Sequence, residues 1–351
     1  MKRLFKLLSL SVCIVIMGAF FVGCSKDSSK EISFFNYGEN IDEETIKEFE
    51  KEYGIKVNVE TFDDMETMYQ KISKGGVNYD VILVSDVLMP RMIKNNLVQE
   101  LNKDNIPNIS QMAEDYLNLE IDPGNKYSVP YMFGTVGLIY NKDAVTEEVD
   151  SWDILWNEKY KDNIFMFDTY RDTIGVALKK LGYSLNSTNE KEIEEAKELL
   201  LNQRKLVNPV YGVDNGTVMI PAGESDINMI WSGEGLNLQD EYPNLVYVVP
   251  KEGANFWIDS LCIPHNAENV EGAEKFINFV SDKESALRIA DEIGYTTPNK
   301  EARLEQPEEV RNNPNAYMPK EIMDRCEIYA DFPSDVKKVY DDAWIRIKSS
   351  N

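Results

Sequence analysis

The chain has 351 residues, 61 of them acidic against 37 basic, and a formal net charge of −24. Acidity on this scale repels phosphates and anionic headgroups, so it argues against nucleic acid or an anionic lipid surface as a partner and favours cations. A single histidine, His265, leaves no basis for a histidine-rich zinc site or a histidine-based nucleophile triad.

Lys2, Arg3 and Lys6 precede an apolar run from Leu7 to Val22, and Gly23-Cys24 follows, which is the order of a secretory signal. The run is short for a membrane span of ~20 residues, and Ser25 to Lys30 is polar and flexible. Residues 1–23 are therefore expected to be a signal peptide and 24–30 a tether. Phe21-Val22-Gly23-Cys24 resembles a bacterial lipobox, which makes Cys24 the expected lipid-bearing first residue of the mature chain. Each acyl CH₂ placed in a bilayer contributes ~0.8 kcal/mol. The expected location is extracytoplasmic, on the outer face of the cell membrane and on the periplasmic side where an outer membrane is present. Only Cys262 and Cys326 then remain to form a disulfide, and the apolar context of Cys262 in FWIDSLCIP suits a buried thiol equally well.

Roughly 320 mature residues exceed what one core comfortably fills, so two domains are expected. Glu31 to Phe35 reads as a strand. A helix follows it, with Asp42 as N-cap, Ile46, Phe49 and Tyr53 at helical spacing, and Gly54 as the left-handed stop. Lys56 to Phe62 alternates as a strand, Asp64 to Ser73 is helical, and Tyr79 to Val84 is an apolar strand. This alternation predicts an α/β fold with a mainly parallel sheet flanked by helices. YSVPYMFGTVGLIYN, residues 127–141, reads as two extended pieces bent around Pro130 and Gly134, the first crossing to a second domain. A crossing back is expected near Asp259 to Cys262. Between the crossings, Ile164 to Phe167 and Ile227 to Ile230 read as strands, and Asp172 to Leu181 and Glu190 to Leu201 as helices.

In open sheets of this kind ligands sit beyond the carboxyl ends of the strands, which singles out Tyr37 to Asn40 and Ser85 to Val87. Aromatics and carboxylates also coincide at Tyr37 with Glu39, at Phe167 to Asp172, at Trp231 with Glu234, and at Trp257 with Asp259; Tyr295 stands beside Thr296 and Thr297. A linear polyamine needs this mixture, because its ammoniums want carboxylate or hydroxyl acceptors and its methylenes want flat apolar walls. Aromatic faces also attract cations, at roughly 0.5 to 2 kcal/mol per contact. A lone tryptophan beside a strand more often packs a core, so the reading depends on joint placement. Nothing has a recognisable glycosidase or metalloenzyme spacing, and no phosphate loop or dinucleotide fingerprint is present. Neither catalysis nor a cofactor is expected.

The order of segments resembles the polyamine-binding proteins of bacterial spermidine/putrescine ABC importers over nearly the whole mature chain. It rests on Phe35 to Glu39, YDVILVS, YSVPYMFGTVGLIYN, SWDILW, LKKLGYS, MIWSGEG, EGAEKFINFV and, most specifically, FWIDSL together with IGYTTPN. The resemblance implies a two-lobed periplasmic-binding-protein fold of type II, with the ligand clamped in the cleft at the hinge and a membrane permease as partner. Expected lobes are 31–132 with 261–305, and 133–260 with 306–351; the protein is expected to be a monomer. Carried over position by position, Tyr37, Trp231, Trp257 and Tyr295 are the expected aromatic walls. Asp259 is expected to hold an internal or terminal amine. Asp172 with Asp168 is expected to take one terminal ammonium, and Ser85, Asp86 and Glu39 the other end. Tyr329 is expected to complete the cleft.

Tyr37 stands where the family commonly has Trp, Gly38 where a hydroxyl is common, Val87 where an aromatic is common, and Thr169 where an acid is common. Asp259 between two end groups favours spermidine over putrescine. Other ligands that this type of fold accepts are an oligosaccharide, thiamine or a metal ion, and another role is a surface lipoprotein without transport.

Overall fold

The computed structural model describes residues 28–38, 40–213 and 215–350. The expected signal peptide, Cys24 and Glu39 lie outside the described residues; of the tether, Ser28–Lys30 form a short 3₁₀ turn leading into the first strand. Among the described residues no helix is long and apolar enough to cross a membrane.

Strands β1 (Glu31–Tyr37), β2 (Lys56–Phe62), β3 (Val81–Ser85), β4 (Ser128–Asn141), β5 (Ile164–Phe167), β6 (Val210–Gly212), β7 (Ile227–Trp231), β8 (Leu245–Val248) and β9 (Phe256–Cys262) form one sheet. The longer helices are α1 (Glu43–Tyr53), α2 (Met65–Lys74), α3 (Tyr170–Lys180), α4 (Glu190–Val207), α5 (Ser232–Glu241), α6 (Val270–Val280), α7 (Lys283–Ile293) and α8 (Ser334–Ser349). The local signals act as the sequence dictates. Asp42 caps α1 by accepting from the Thr45 N–H at 2.9 Å, and Gly54 ends it at φ 66°. Asp64 caps α2 by accepting from the Thr67 N–H at 2.7 Å.

The sheet order is β2-β1-β3-β9-β4-β7-β5-β6, with β8 also on β4. The parallel pairs are β1 with β2 and β3, and β5 with β6 and β7. Each half of the sheet thus has the expected parallel part, and the crossing strands β4 and β9 join it antiparallel. Residues 128–141 differ from the expected pair of bent pieces. They form one strand of 14 residues whose first half pairs β9 and whose second half pairs β7 and β8. Gly134 does not break it. The irregularity falls between Pro130 and Met132, where the register against Ser260 and Asp259 slips, and Pro130 has no N–H to give to the ladder.

Burial follows the two halves. Phe34, Phe49, Val81, Leu83, Leu261 and Phe276 form a core on one face of the first half, and Phe35, Met68, Ile82, Val84 and Cys262 another on the opposite face. Phe165, Phe167, Ile174, Leu200 and Tyr340 are among the residues of a core in the second half, onto which α8 folds back. Ala316 and Tyr317 pack instead with Phe133, Phe256 and Ile258 of the crossing strands. Cys262 and Cys326 are both free. Cys262 lies 3.8 Å from the Met89 Sδ, and Cys326 lies 4.0 Å from that of Met318 in a different cluster.

Candidate ligand cleft

Four strands of the parallel parts end in candidate residues. β1 ends at Tyr37, β3 at Ser85, β5 just before Asp168, and β7 at Trp231. Trp257 and Asp259 lie instead within the crossing strand β9, and Asp259 is the register partner of Ser85. Alternation along β9 and β3 puts Trp257, Asp259, Leu261 and Ser85 on the sheet face that carries the Phe34 core.

At the Asp259 end, acids are buried without an ion pair among the described residues. Asp259 is 7% exposed, and among the described residues no donor bonds its carboxylate; burial pushes its carboxyl up to about 7. Asp86 accepts from the Val87 N–H at 2.8 Å through Oδ1, while its Oδ2 is buried with no partner among the described residues. Burial pushes Asp86 well above the usual carboxylate range, and the charge of Asp259 adds to this; the backbone N–H of Val87 and the Arg171 charge oppose it. The Ser85 hydroxyl is likewise buried without a partner among the described residues.

The aromatic side chains close around this end. Trp257 meets Tyr295 edge to face, with ring centroids 5.2 Å apart and planes at 77°. Two glycines make room for them. A Cβ on Gly134 would lie 2.5 Å from the Trp257 ring, and one on Gly233 would overlap the Tyr295 ring. The Trp257 indole N–H is buried without a partner among the described residues, so it has a donor to offer. Burial holds the Tyr295 phenol above its usual range, and Glu234, Asp259 and Tyr37 around it add to the effect. Tyr37 is 37% exposed and meets Phe62 edge to face at 5.5 Å. Trp231 is half-buried and stacks on Phe167 at 4.4 Å.

The other end is different. Asp168 is exposed and pairs with Lys348, 2.8 Å from its Nζ, so it already has a cation of the chain's own beside it. Asp172 is half-buried near the start of α3. Its Oδ1 accepts from the Tyr329 hydroxyl at 2.8 Å, and its Oδ2 accepts from the Thr169 hydroxyl. Burial raises its carboxyl, and those two hydrogen bonds and the Arg171 charge oppose the rise. Burial pushes the Tyr329 phenol well above its usual range, and the charges of Asp172 and Asp86 add to this while that of Arg171 opposes it.

Residues 44–319 match the family described as bacterial extracellular solute-binding protein. The chain belongs to this family. The spermidine/putrescine-binding periplasmic protein of Escherichia coli (strain K12) is 35% identical over 345 residues, covering 96% of this chain and 97% of that protein. The putrescine-binding periplasmic protein SpuD of Pseudomonas aeruginosa (strain UCBPP-PA14) is 32% identical over 344 residues, covering 92% of each. Among solved structures, the spermidine/putrescine ABC transporter substrate-binding protein PotD from Streptococcus pneumoniae superposes with a TM-score of 0.86 at 36% identity, covering 91% of this chain and 99% of that one. The two-lobed periplasmic-binding-protein fold expected from the sequence is therefore the fold of this solute-binding protein.

Three residues of the cleft region were missed by the sequence reading. Asn36 is fully buried at the end of β1, and both atoms of its amide lack a partner among the described residues. A lone amide in the apolar run ISFFNY was the available signal. Arg171 stacks over Tyr329 at 4.4 Å and over Phe332 at 3.8 Å, and it donates to the Asn186 Oδ1 at 2.7 Å. Asn186 in turn accepts from the Ala330 N–H at 2.8 Å and donates to the Ile328 carbonyl at 2.7 Å, fastening the segment that carries Tyr329. No local pattern signals Asn186, because the segment it fastens lies some 140 residues further along the chain.

Proposed function

We propose that this protein captures a polyamine, spermidine or putrescine, outside the cytoplasm and delivers it to the membrane permease of an ABC importer. The observation that carries the proposal is Asp259. It is a buried carboxylate two residues along β9 from Trp257 and across the register from Ser85, with no cation or donor of the chain's own among the described residues. Such a group is costly to bury charged unless a cation arrives from outside. The aromatic walls suit the methylenes between ammoniums, and the names of the E. coli and P. aeruginosa relatives agree with this chemistry.

Capture without catalysis fits membership of a solute-binding family. Tyr37, Glu39, Ser85, Asp86, Asp172, Trp231, Trp257, Asp259, Tyr295 and Tyr329 are assigned to the cleft, and Asp168 to its margin. Lobes of 31–132 with 261–305 and of 133–260 with 306–351 would close on the ligand. Contacts from both lobes give the differential affinity that shifts the open–closed balance. The N-terminal signal and Cys24 support a monomer tethered to the membrane by lipid. Metabolic labelling with a radioactive fatty acid would incorporate into the wild-type chain and not into Cys24→Ala; equal labelling of both would remove the anchor.

The test of function is calorimetric titration of the leader-free protein with spermidine, putrescine, cadaverine, lysine and maltose. Binding at about micromolar or tighter (about −8 kcal/mol) to a polyamine, without heat from lysine or maltose, is the expected result. Heat from maltose alone would move the assignment to a sugar.

A further inference from the structure

The loop between β1 and α1 begins at Tyr37, and a side chain from a distant strand holds it. The Tyr131 hydroxyl donates to the Asn40 carbonyl at 2.8 Å. In the sheet β3 and β9 lie between β1 and β4, so this bond spans the two strands that carry Ser85 and Asp259. It does so at their level. Ser85 pairs with Asp259, and β9 steps from Ser260 to Asp259 while β4 steps from Pro130 to Met132, which leaves Tyr131 as the extra residue of a bulge opposite Asp259. In a regular strand Tyr131 and Met132 would face opposite ways. Here both join Val129 in the core that carries Phe34, on the face where Ser85 and Asp259 lie. β1 and β4 stand three strand spacings, roughly 14 Å, apart, so the loop and the tyrosine side chain each cover part of that width. The same tyrosine lines a small cavity together with Tyr295, Ile289 and Ile293.

We infer that Tyr131 is a positioning residue of the ligand site: its hydroxyl pins the loop that begins at Tyr37 across the level of Ser85 and Asp259, and the bulge in β4 aims it there. This rests on the polyamine reading above. At its root the loop is tied by backbone bonds, from the Gly38 N–H to the Phe62 carbonyl at 2.9 Å and from the Asn40 N–H to the Tyr37 carbonyl at 3.3 Å, before Asp42 caps α1. Tyr131 adds the bond that reaches across the sheet. It is 8% exposed; burial pushes its phenol well above the usual range and the charge of Asp42 adds to this, which keeps the hydroxyl a donor. Without that bond Tyr37 keeps its place in the chain but loses its fixed position against an ammonium, so Tyr131 acts on the ligand through the loop.

The experiment measures dissociation constants for putrescine and spermidine by calorimetry on the leader-free protein, Tyr131→Phe, Tyr37→Ala and the double variant, with thermal melts and amide hydrogen exchange at Asn40 and Ile41 alongside. Tyr131→Phe removes one hydroxyl and should weaken both amines by about fivefold, with faster exchange at the two amides in the empty protein. On the Tyr37→Ala background the same change should cost less than about twofold, because its route to the ligand is gone. Tyr340→Phe is the control, since that buried phenol also donates to a backbone carbonyl, of Ser187 at 2.8 Å, within the core of the second half. It should lower the melting temperature and leave both affinities as they were. Unchanged affinity in Tyr131→Phe, a loss just as large on the Tyr37→Ala background, or an equal loss in Tyr340→Phe overturns the pin and leaves the polyamine reading intact. Absence of binding of both amines by the unsubstituted protein overturns that reading and the pin with it.

Discussion

At the Asp259 end of the cleft, Asp259 and one oxygen of Asp86 are buried without a partner among the described residues, whereas at the Asp168 and Asp172 end each carboxylate has a resident partner. Lys348 holds Asp168, and the hydroxyls of Thr169 and Tyr329 hold Asp172. The residue type is the same and its state is opposite. An acid becomes an attractive site for a ligand cation through what the fold withholds from it as much as through where the fold puts it. The end with unpartnered acceptors should dominate affinity.

Asp259→Asn should break this contrast most. A buried ammonium loses its charged partner, which costs ~1.5–3 kcal/mol, or between about tenfold and a hundredfold in affinity. Calorimetry would show it, and affinity unchanged in this variant would remove Asp259 from the site. Trp257→Ala should weaken binding by roughly tenfold, while unfolding of the ligand-free protein changes by less than the ~3–5 kcal/mol expected for a core tryptophan such as Trp152. Trp152 is 1% exposed and donates to the Gly253 carbonyl at 2.9 Å, so Trp152→Ala is the internal control in the same denaturant series.

The pH dependence sharpens the comparison further. Because Asp259 in the empty cleft is pushed up to about 7, it is largely protonated at pH 6 and largely ionised at pH 8. Only the ionised form attracts a cation. Affinity should therefore fall by about tenfold from pH 8 to pH 6, with a proton released on binding that calorimetry in buffers of different ionisation enthalpy can count. The stability sign is the reverse of that for a salt-bridged acid. Between roughly pH 4 and 7 the empty folded protein holds a proton at Asp259 that the unfolded chain has released, so this site's contribution weakens as pH rises through that window and levels off above it. Asp259→Asn should flatten both profiles. The smallest effect is expected from Asp168→Asn, less than about twofold in affinity, since its exposed pair with Lys348 already screens it; a larger loss in titration would return Asp168 to the ligand.

The fold was legible because its signals are local. Asp42, Gly54 and Asp64 bring their own capping chemistry within three or four residues, and the alternating run 56–62 and the apolar run 164–167 coincide with β2 and β5. The reading of 127–141 as two pieces went astray because Pro130 and Gly134 look like breakers. In the structure Pro130 sits at a register slip, and Gly134 is there to admit the Trp257 ring, a contact across 123 residues that no local pattern encodes. The site residues at strand ends were likewise readable from position.

By itself, then, the sequence determined the α/β alternation, strands ending within one or two residues of Tyr37, Ser85, Phe167 and Trp231, and the supply of acids and aromatics for a cation. Only the tertiary structure decided which acids remain without partners. That choice depends on whether a distant side chain arrives: Lys348 from the last helix reaches Asp168, and Tyr329, clamped by Arg171 and Asn186, reaches Asp172, while no donor among the described residues reaches Asp259. Desolvation and pairing are properties of the packed neighbourhood, and a residue's place in the chain does not contain them.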